Sequence, residues 1–101
     1  MSYISILSER ARNELSDAWE WYEERQHGLG DRFKEAIFKK LKQIEGDPAK
    51  GIQRKHSYRE AIVKVFPYLI IYRIEIKDKQ IFVHSIFHTR RNPKKKYRSK
   101  P

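Results

Sequence analysis

Apolar residues recur at helical spacing through the first half of the chain and at strand spacing through the second. Ala11, Leu15, Ala18 and Tyr22 fall on one stripe of a 3.6-residue period. Ser8 is a good N-cap for that helix, and Glu9 follows where the helix dipole favours an acid. Nothing breaks the pattern before His27-Gly28. Gly28-Leu29-Gly30 then makes a turn, and Asp31 is expected to accept hydrogen bonds from the free amides of the next helix. Phe33, Ala36, Ile37, Leu41 and Ile44 carry the second stripe, which stops near Gly46-Asp47-Pro48 because proline disfavours helix in the residue before it. The two helices are expected to form an antiparallel hairpin.

Ahead of them, Tyr3 to Leu7 alternates as a short strand. Beyond the polar stretch Ala49 to Lys55, three runs rich in Ile, Val, Tyr and Phe follow: Tyr58 to Phe66, Pro67 to Ile76 and Gln80 to His88. Short connections make them an antiparallel meander, with the first strand joining its edge. The expected fold is α+β in the order β-α-α-β-β-β, a helical hairpin on one face of a mainly antiparallel four-stranded sheet. Residues 1–88 are read as a single domain, and 89–101 as a basic C-terminal tail.

Charge changes this picture. The chain has 101 residues, 23 Lys plus Arg against 13 Asp plus Glu, a net charge of +10 and no cysteine. Lack of Cys excludes a disulfide scaffold, a thiolate metal site and a cysteine nucleophile, and it suits a reducing cytoplasm. The N-terminus has no apolar signal-peptide core, and the most apolar stretch, Ala61 to Ile74, is broken by Lys64, Pro67 and Arg73, so no membrane association is expected. Seven of the cations, Arg90, Arg91, Lys94, Lys95, Lys96, Arg98 and Lys100, lie in the tail, which has no acid. Such a run suits a polyanion or an acidic partner, or else a solvated end that keeps the protein soluble. With no Val, Ile, Leu or Phe in it, its deletion is expected to cost little stability.

Metal and cofactor chemistry find no support in the residue pattern. His84 and His88 are four apart in a strand, roughly 13 Å, and cannot share one ion. Gly28-Leu29-Gly30 follows a helix and lacks the Gly-Lys-Ser/Thr of a phosphate-binding loop. Neither a cofactor nor a metal is expected. Trp19 is expected to pack on the second helix, while Trp21 is a candidate partner contact. The densest chemistry lies in His88-Thr89-Arg90-Arg91-Asn92-Pro93 and Tyr97, with Lys64 and Arg73 interrupting apolar strands. Together these could bind anions, and His88 or Tyr97 could serve as acid or base in a metal-free ribonuclease.

The ordered motifs Ala11-Arg12-Asn13-Glu14-Leu15, Trp21-Tyr22-Glu23-Glu24, Gly28-Leu29-Gly30-Asp31-Arg32-Phe33, Asp47-Pro48, Phe66-Pro67-Tyr68, Tyr72-Arg73-Ile74-Glu75 and His88-Thr89-Arg90-Arg91-Asn92-Pro93 resemble the RelE/ParE toxin superfamily over nearly the whole chain. The resemblance is to its ParE-like branch. It implies the toxin of a bacterial type II toxin-antitoxin or plasmid-stabilisation module, held inactive by a cognate antitoxin and inhibiting DNA gyrase. RelE-like members instead cleave mRNA on the ribosome. For that activity the resemblance would assign Lys64 as a strand lysine, Arg91 as the later arginine and Tyr97 as the C-terminal tyrosine, with His88 a further candidate. The strand arginine expected after Tyr68 is replaced by Leu69, which removes a phosphate contact from such a site. A third reading is a basic binding module without toxicity.

Overall fold

A computed structural model describes residues 3–98. Lys100, one of the tail cations, lies outside them. The elements run β1 (Ile4–Leu7), α1 (Glu9–Arg25), α2 (Leu29–Gly46), β2 (Ile52–Gln53), β3 (Arg59–Ile62), β4 (Tyr68–Glu75) and β5 (Gln80–His88), with short 3₁₀ turns at Pro48–Lys50, Lys55–Ser57 and Pro93–Lys95. They form one sheet in the order β1-β5-β4-β3-β2, with β1 parallel to β5 and every other neighbour antiparallel. The fold is the expected α+β arrangement. The sheet has one strand more than expected, because two residues of the polar stretch, Ile52 and Gln53, pair with Glu60 and Arg59. The expected meander strands also shorten at the Val63–Pro67 corner, where Val65 takes a positive φ of 77°.

The helix stripes fill the core as their spacing predicts. Ala11, Ala18, Phe33, Ile37, Leu41 and Ile44 are buried against Ile70, Tyr72, Ile81, Val83 and Ile86 of the sheet. Burying Leu-, Ile- or Phe-sized side chains stabilises a fold by about 1.5–3 kcal/mol each. Ser8 caps α1 as expected, its hydroxyl accepting from the Ala11 N–H at 3.0 Å.

The helix–helix turn differs. Asp31 does not cap α2. The Glu23 carboxylate accepts from the Gly28 and Gly30 amides at 3.0 Å, while Asp31 accepts from the Trp19 indole at 2.9 Å. Gly28 sits at φ 88°, a conformation costly for any other residue. Gly30 lies so close to α1 that a Cβ there would meet the Trp19 carbonyl oxygen at 2.7 Å. Trp19 thus packs on the second helix, and its polar handle ties the hairpin together.

One edge of the sheet is closed by side chains. The outward N–H of Ser5 donates to the Glu45 carboxylate at 3.1 Å, and Arg12 donates to the Leu7 carbonyl at 2.9 Å. Unpaired strand groups that would invite another strand are thereby occupied.

Candidate functional site

β1 accompanies β5 only as far as Val83, which leaves the second half of β5 with outward main-chain groups to satisfy. A register irregularity at His84, opposite Ile71 and Tyr72, interrupts the β4–β5 ladder at the start of this stretch. Glu14, one turn into α1, takes the place of a strand. Its carboxylate accepts from the Ile86 N–H at 3.0 Å and the Ser85 hydroxyl at 2.7 Å, and it also holds Arg10 and Arg91. Arg10 is only 5% exposed, and its remaining donors reach the carbonyls of Lys95 and Arg98 at 2.7 and 2.6 Å. A carboxylate so largely removed from water is tolerable when paired, and this half-buried one is.

A second carboxylate works on the sheet face away from the helices. Glu60, 6% exposed, accepts from the Tyr97 hydroxyl, pairs with Lys96 at 3.3 Å and lies 3.7 Å from Arg54. The Tyr97 ring stacks on Tyr58 at 5.5 Å, and Tyr58 lies against His84 at 4.8 Å. Arg91 crosses over the Phe87 ring. Register places Glu60, Ile71 and Ser85 side by side on this face. Residues 91–97 therefore cover a small outer core in which Ile71, Ser85 and Phe87 are fully buried.

The expectation that deleting the tail costs little stability treated it as unattached, and it is instead docked on the domain. Its attachments are ion pairs, main-chain carbonyls and one inward-facing phenol, none of which registers as an apolar pattern.

Burial, then the carboxylate partner Glu60, raises the Tyr97 phenol well above its ordinary 10, so it stays protonated. His84 is also buried, and its Nε2 makes no hydrogen bond among the described residues. Burial first and the Arg10 charge second hold its pKa below 6.5, against opposing contributions from Glu14 and from the main chain of Arg98 and Lys96. The main chain is near enough to influence the ring without meeting hydrogen-bond geometry.

Between α1 and the end of the sheet lies a cleft of about 690 Å³. Ala18, Tyr22, Tyr68 and Ile86 line it together with Trp21, His88 and Arg90. Trp21 is 51% exposed, with the Arg25 guanidinium 3.7 Å from its ring centre. The Tyr68 phenol is pushed up to about 12, chiefly by burial and then by Tyr22. His88 sits edge-on to Tyr68, and its Nδ1 accepts the Arg90 N–H at 3.0 Å. That bond leaves the other ring nitrogen to carry the proton in the neutral form.

The residues singled out in the sequence are thus dispersed. His88, Arg90 and Trp21 share the α1 cleft, and Arg91 also reaches it while bound to Glu14. Lys64 is exposed in the β3–β4 corner and lines a different cleft, with Gln43 and Lys50. Arg73 faces out from β4, paired with Glu75 at 2.8 Å and lying over Phe82. Tyr97 and Lys96 are held at Glu60, whereas the side chains of Lys94 and Arg98 are exposed and Lys95 is half-buried. Sequence reasoning missed Arg10, Glu14, Tyr58, Glu60 and His84. Glu60 had a usable signal, an acid inside the β-period run Tyr58 to Phe66. Glu14 stood in one of the motifs that carry the resemblance but drew no role, since an acid on a helix ordinarily reads as a solvated position.

Comparison with known proteins places this arrangement. The family model described as "ParE toxin of type II toxin-antitoxin system, parDE" matches residues 6–93. No curated protein matches. Among solved structures, the chain is similar to a chromosomal ParDE toxin-antitoxin system from P. aeruginosa, with TM-score 0.73 and 14% identity over 86% of this chain and 96% of that one. It is similar to the toxin-antitoxin complex RelBE2 from Mycobacterium tuberculosis, with TM-score 0.62 and 16% identity over 87% and 99%. It is also similar to a mutant of the E. coli toxin RelE in the free state, with TM-score 0.54 and 16% identity over 89% and 86%. At such identities these likenesses speak for the fold, which both branches share. The family match spans the helical hairpin, the sheet from Ile6 onward and the Glu14–Arg91 pair, and on that ground the chain belongs to the ParE toxin family of type II toxin-antitoxin systems.

Proposed function

We propose that this chain is a toxin that inhibits DNA gyrase by binding, without covalent chemistry of its own, and that a cognate antitoxin neutralises it. The observation carrying this reading is the commitment of the two groups an mRNA endonuclease would need. Arg91 is spent on the half-buried carboxylate of Glu14, and the Tyr97 hydroxyl on the buried one of Glu60. A phenol donating to a carboxylate and raised above its ordinary pKa is a poor proton donor to a leaving oxygen. Leu69, beside Tyr68, supplies no phosphate contact. Antitoxin pairing is supported by the ParDE and RelBE2 systems to which the chain is similar.

One observation favours the alternative, ribosome-dependent mRNA cleavage. Glu60 and Tyr97 form a carboxylate–phenol pair with Lys96 and Arg54 close by, a set with both acid–base groups and cations. Controlled expression of the wild-type chain and of Tyr97→Phe separates the two. The substitution keeps the ring that stacks on Tyr58 and deletes the phenolic hydroxyl together with its hydrogen bond to Glu60. Under gyrase inhibition both chains arrest growth and induce a DNA-damage response. Loss of toxicity in a folded, antitoxin-binding Tyr97→Phe variant would move the assignment to the endonuclease.

A further inference from the structure

The tail cations divide by what holds them. Arg91 and Lys96 are half-buried and ion-paired to Glu14 and Glu60. Arg90, Lys94 and Arg98 are exposed, and no acid occurs anywhere in residues 89–98. The main chain that carries them is fixed at intervals. Arg10 grips the carbonyls of Lys95 and Arg98, and Asn92 caps the Pro93–Lys95 turn by accepting the Lys94 N–H at 3.0 Å. The tail's one aromatic residue, Tyr97, is turned inward onto Tyr58.

We propose that residues 90–98 form a preorganised binding surface for the phosphate backbone of duplex DNA, in which Arg90, Lys94 and Arg98 are the contacting cations while Arg91, Lys96 and Tyr97 hold the surface in place. A protein partner would be expected to meet an aromatic or apolar anchor at the centre of its site. Within residues 90–98 the one aromatic side chain, Tyr97, faces the core, and apart from Asn92 and Pro93 what is exposed is charge. Non-specific DNA binding needs that and little else, because phosphate contacts release counterions and require no base reading. Fixing the tail in advance lowers the ordering cost that a free basic end would incur on binding. Glu14 and Glu60 act here as positioning residues. They touch no ligand and instead select which cations face outward.

The test uses the purified full chain and a labelled duplex of mixed sequence, with affinity followed by fluorescence anisotropy from low to moderate salt. Arg90→Ala, Lys94→Ala and Arg98→Ala should each weaken binding and flatten the log–log salt dependence by about 0.9 per lost phosphate contact. Arg90→Lys should restore the slope. Lys96→Ala and Glu60→Gln should weaken binding with the slope preserved, and trypsin should cut the tail faster in both. Equal flattening by Lys96→Ala and Lys94→Ala would overturn the division into contacting and holding cations. Undetectable duplex binding at low salt, or equally tight binding of a polyglutamate of matched length, would overturn the DNA assignment. The DNA reading is independent of gyrase. Either can fail alone, since this assay contains no gyrase and an inhibition assay can be run on the same variants.

Discussion

Replacing Glu14 by alanine removes the group on which β5, α1 and the tail converge. The substitution leaves the Ser85 hydroxyl, fully buried, and the outward Ile86 N–H without their acceptor. It also strands the Arg10 guanidinium, whose side chain is 3% exposed, and frees Arg91 from its partner. Removing one partner of a buried ion pair costs about 3–5 kcal/mol, most of it from the charge left behind. Part of that is recovered here, because Arg10 keeps two carbonyl acceptors, which places the loss at the lower end, about 3 kcal/mol. For a domain of this size each kcal/mol shifts Tm by roughly 4–8 °C, so the melting temperature should fall by at least about 12 °C. Glu14→Gln keeps an oxygen for Ile86 but turns an amide toward the two arginines, and it should fall between alanine and the native chain. Thermal melting followed by circular dichroism, with urea titration at constant m-value, reads both. A Glu14→Ala chain within 1 kcal/mol of the native one, about the worth of an ordinary exposed ion pair, would show that Glu14 is a surface acid and that the tail is held by something else.

Truncation after His88 should uncover Ile71 and Phe87 and leave Glu60 without Lys96 and Tyr97, a loss of about 3–6 kcal/mol from the two apolar side chains alone; a truncated chain that melts within a few degrees of the full one would refute the outer core. For His84, whose folded pKa is lowered, the neutral imidazole's stabilising contribution is complete above the ordinary value of 6.5 and is lost as pH falls below it. His84→Gln should therefore flatten the stability profile between pH 7 and 5, as read by urea midpoints; an unchanged slope would assign the acid sensitivity to other groups. Antitoxin association, driven by a toxin of charge +10, should slow as salt rises; equal on-rates at low and high salt in stopped-flow would remove charge steering.

The parts of the fold that rest on apolar periodicity were legible in the sequence. Ala11, Leu15, Ala18 and Tyr22 did face the sheet side, and Ser8 did cap α1. The two-residue strand Ile52–Gln53 carried no period long enough to detect. The turn after α1 was misjudged for a different reason. Asp31 and Glu23 are equally good acceptors on paper, and only the close approach of Gly30 to Trp19 decides which of them reaches the amides. The candidate site was the least legible part. Arg10, Glu14 and Glu60 look like ordinary solvated charges until the tail folds back on them, and the contacts made through the main-chain carbonyls of Lys95 and Arg98 have no side-chain signature at all.

Inhibition of gyrase by binding can be read with purified components. The chain is added to gyrase and relaxed plasmid DNA, and supercoiling and cleaved DNA are measured with and without an antitoxin. In parallel it is added to ribosomes translating a defined mRNA. Action on gyrase should abolish supercoiling and accumulate cleaved DNA, give the same result with Tyr97→Phe, and leave the mRNA intact. Unimpaired gyrase together with mRNA cut on the ribosome, abolished by Tyr97→Phe, would contradict it.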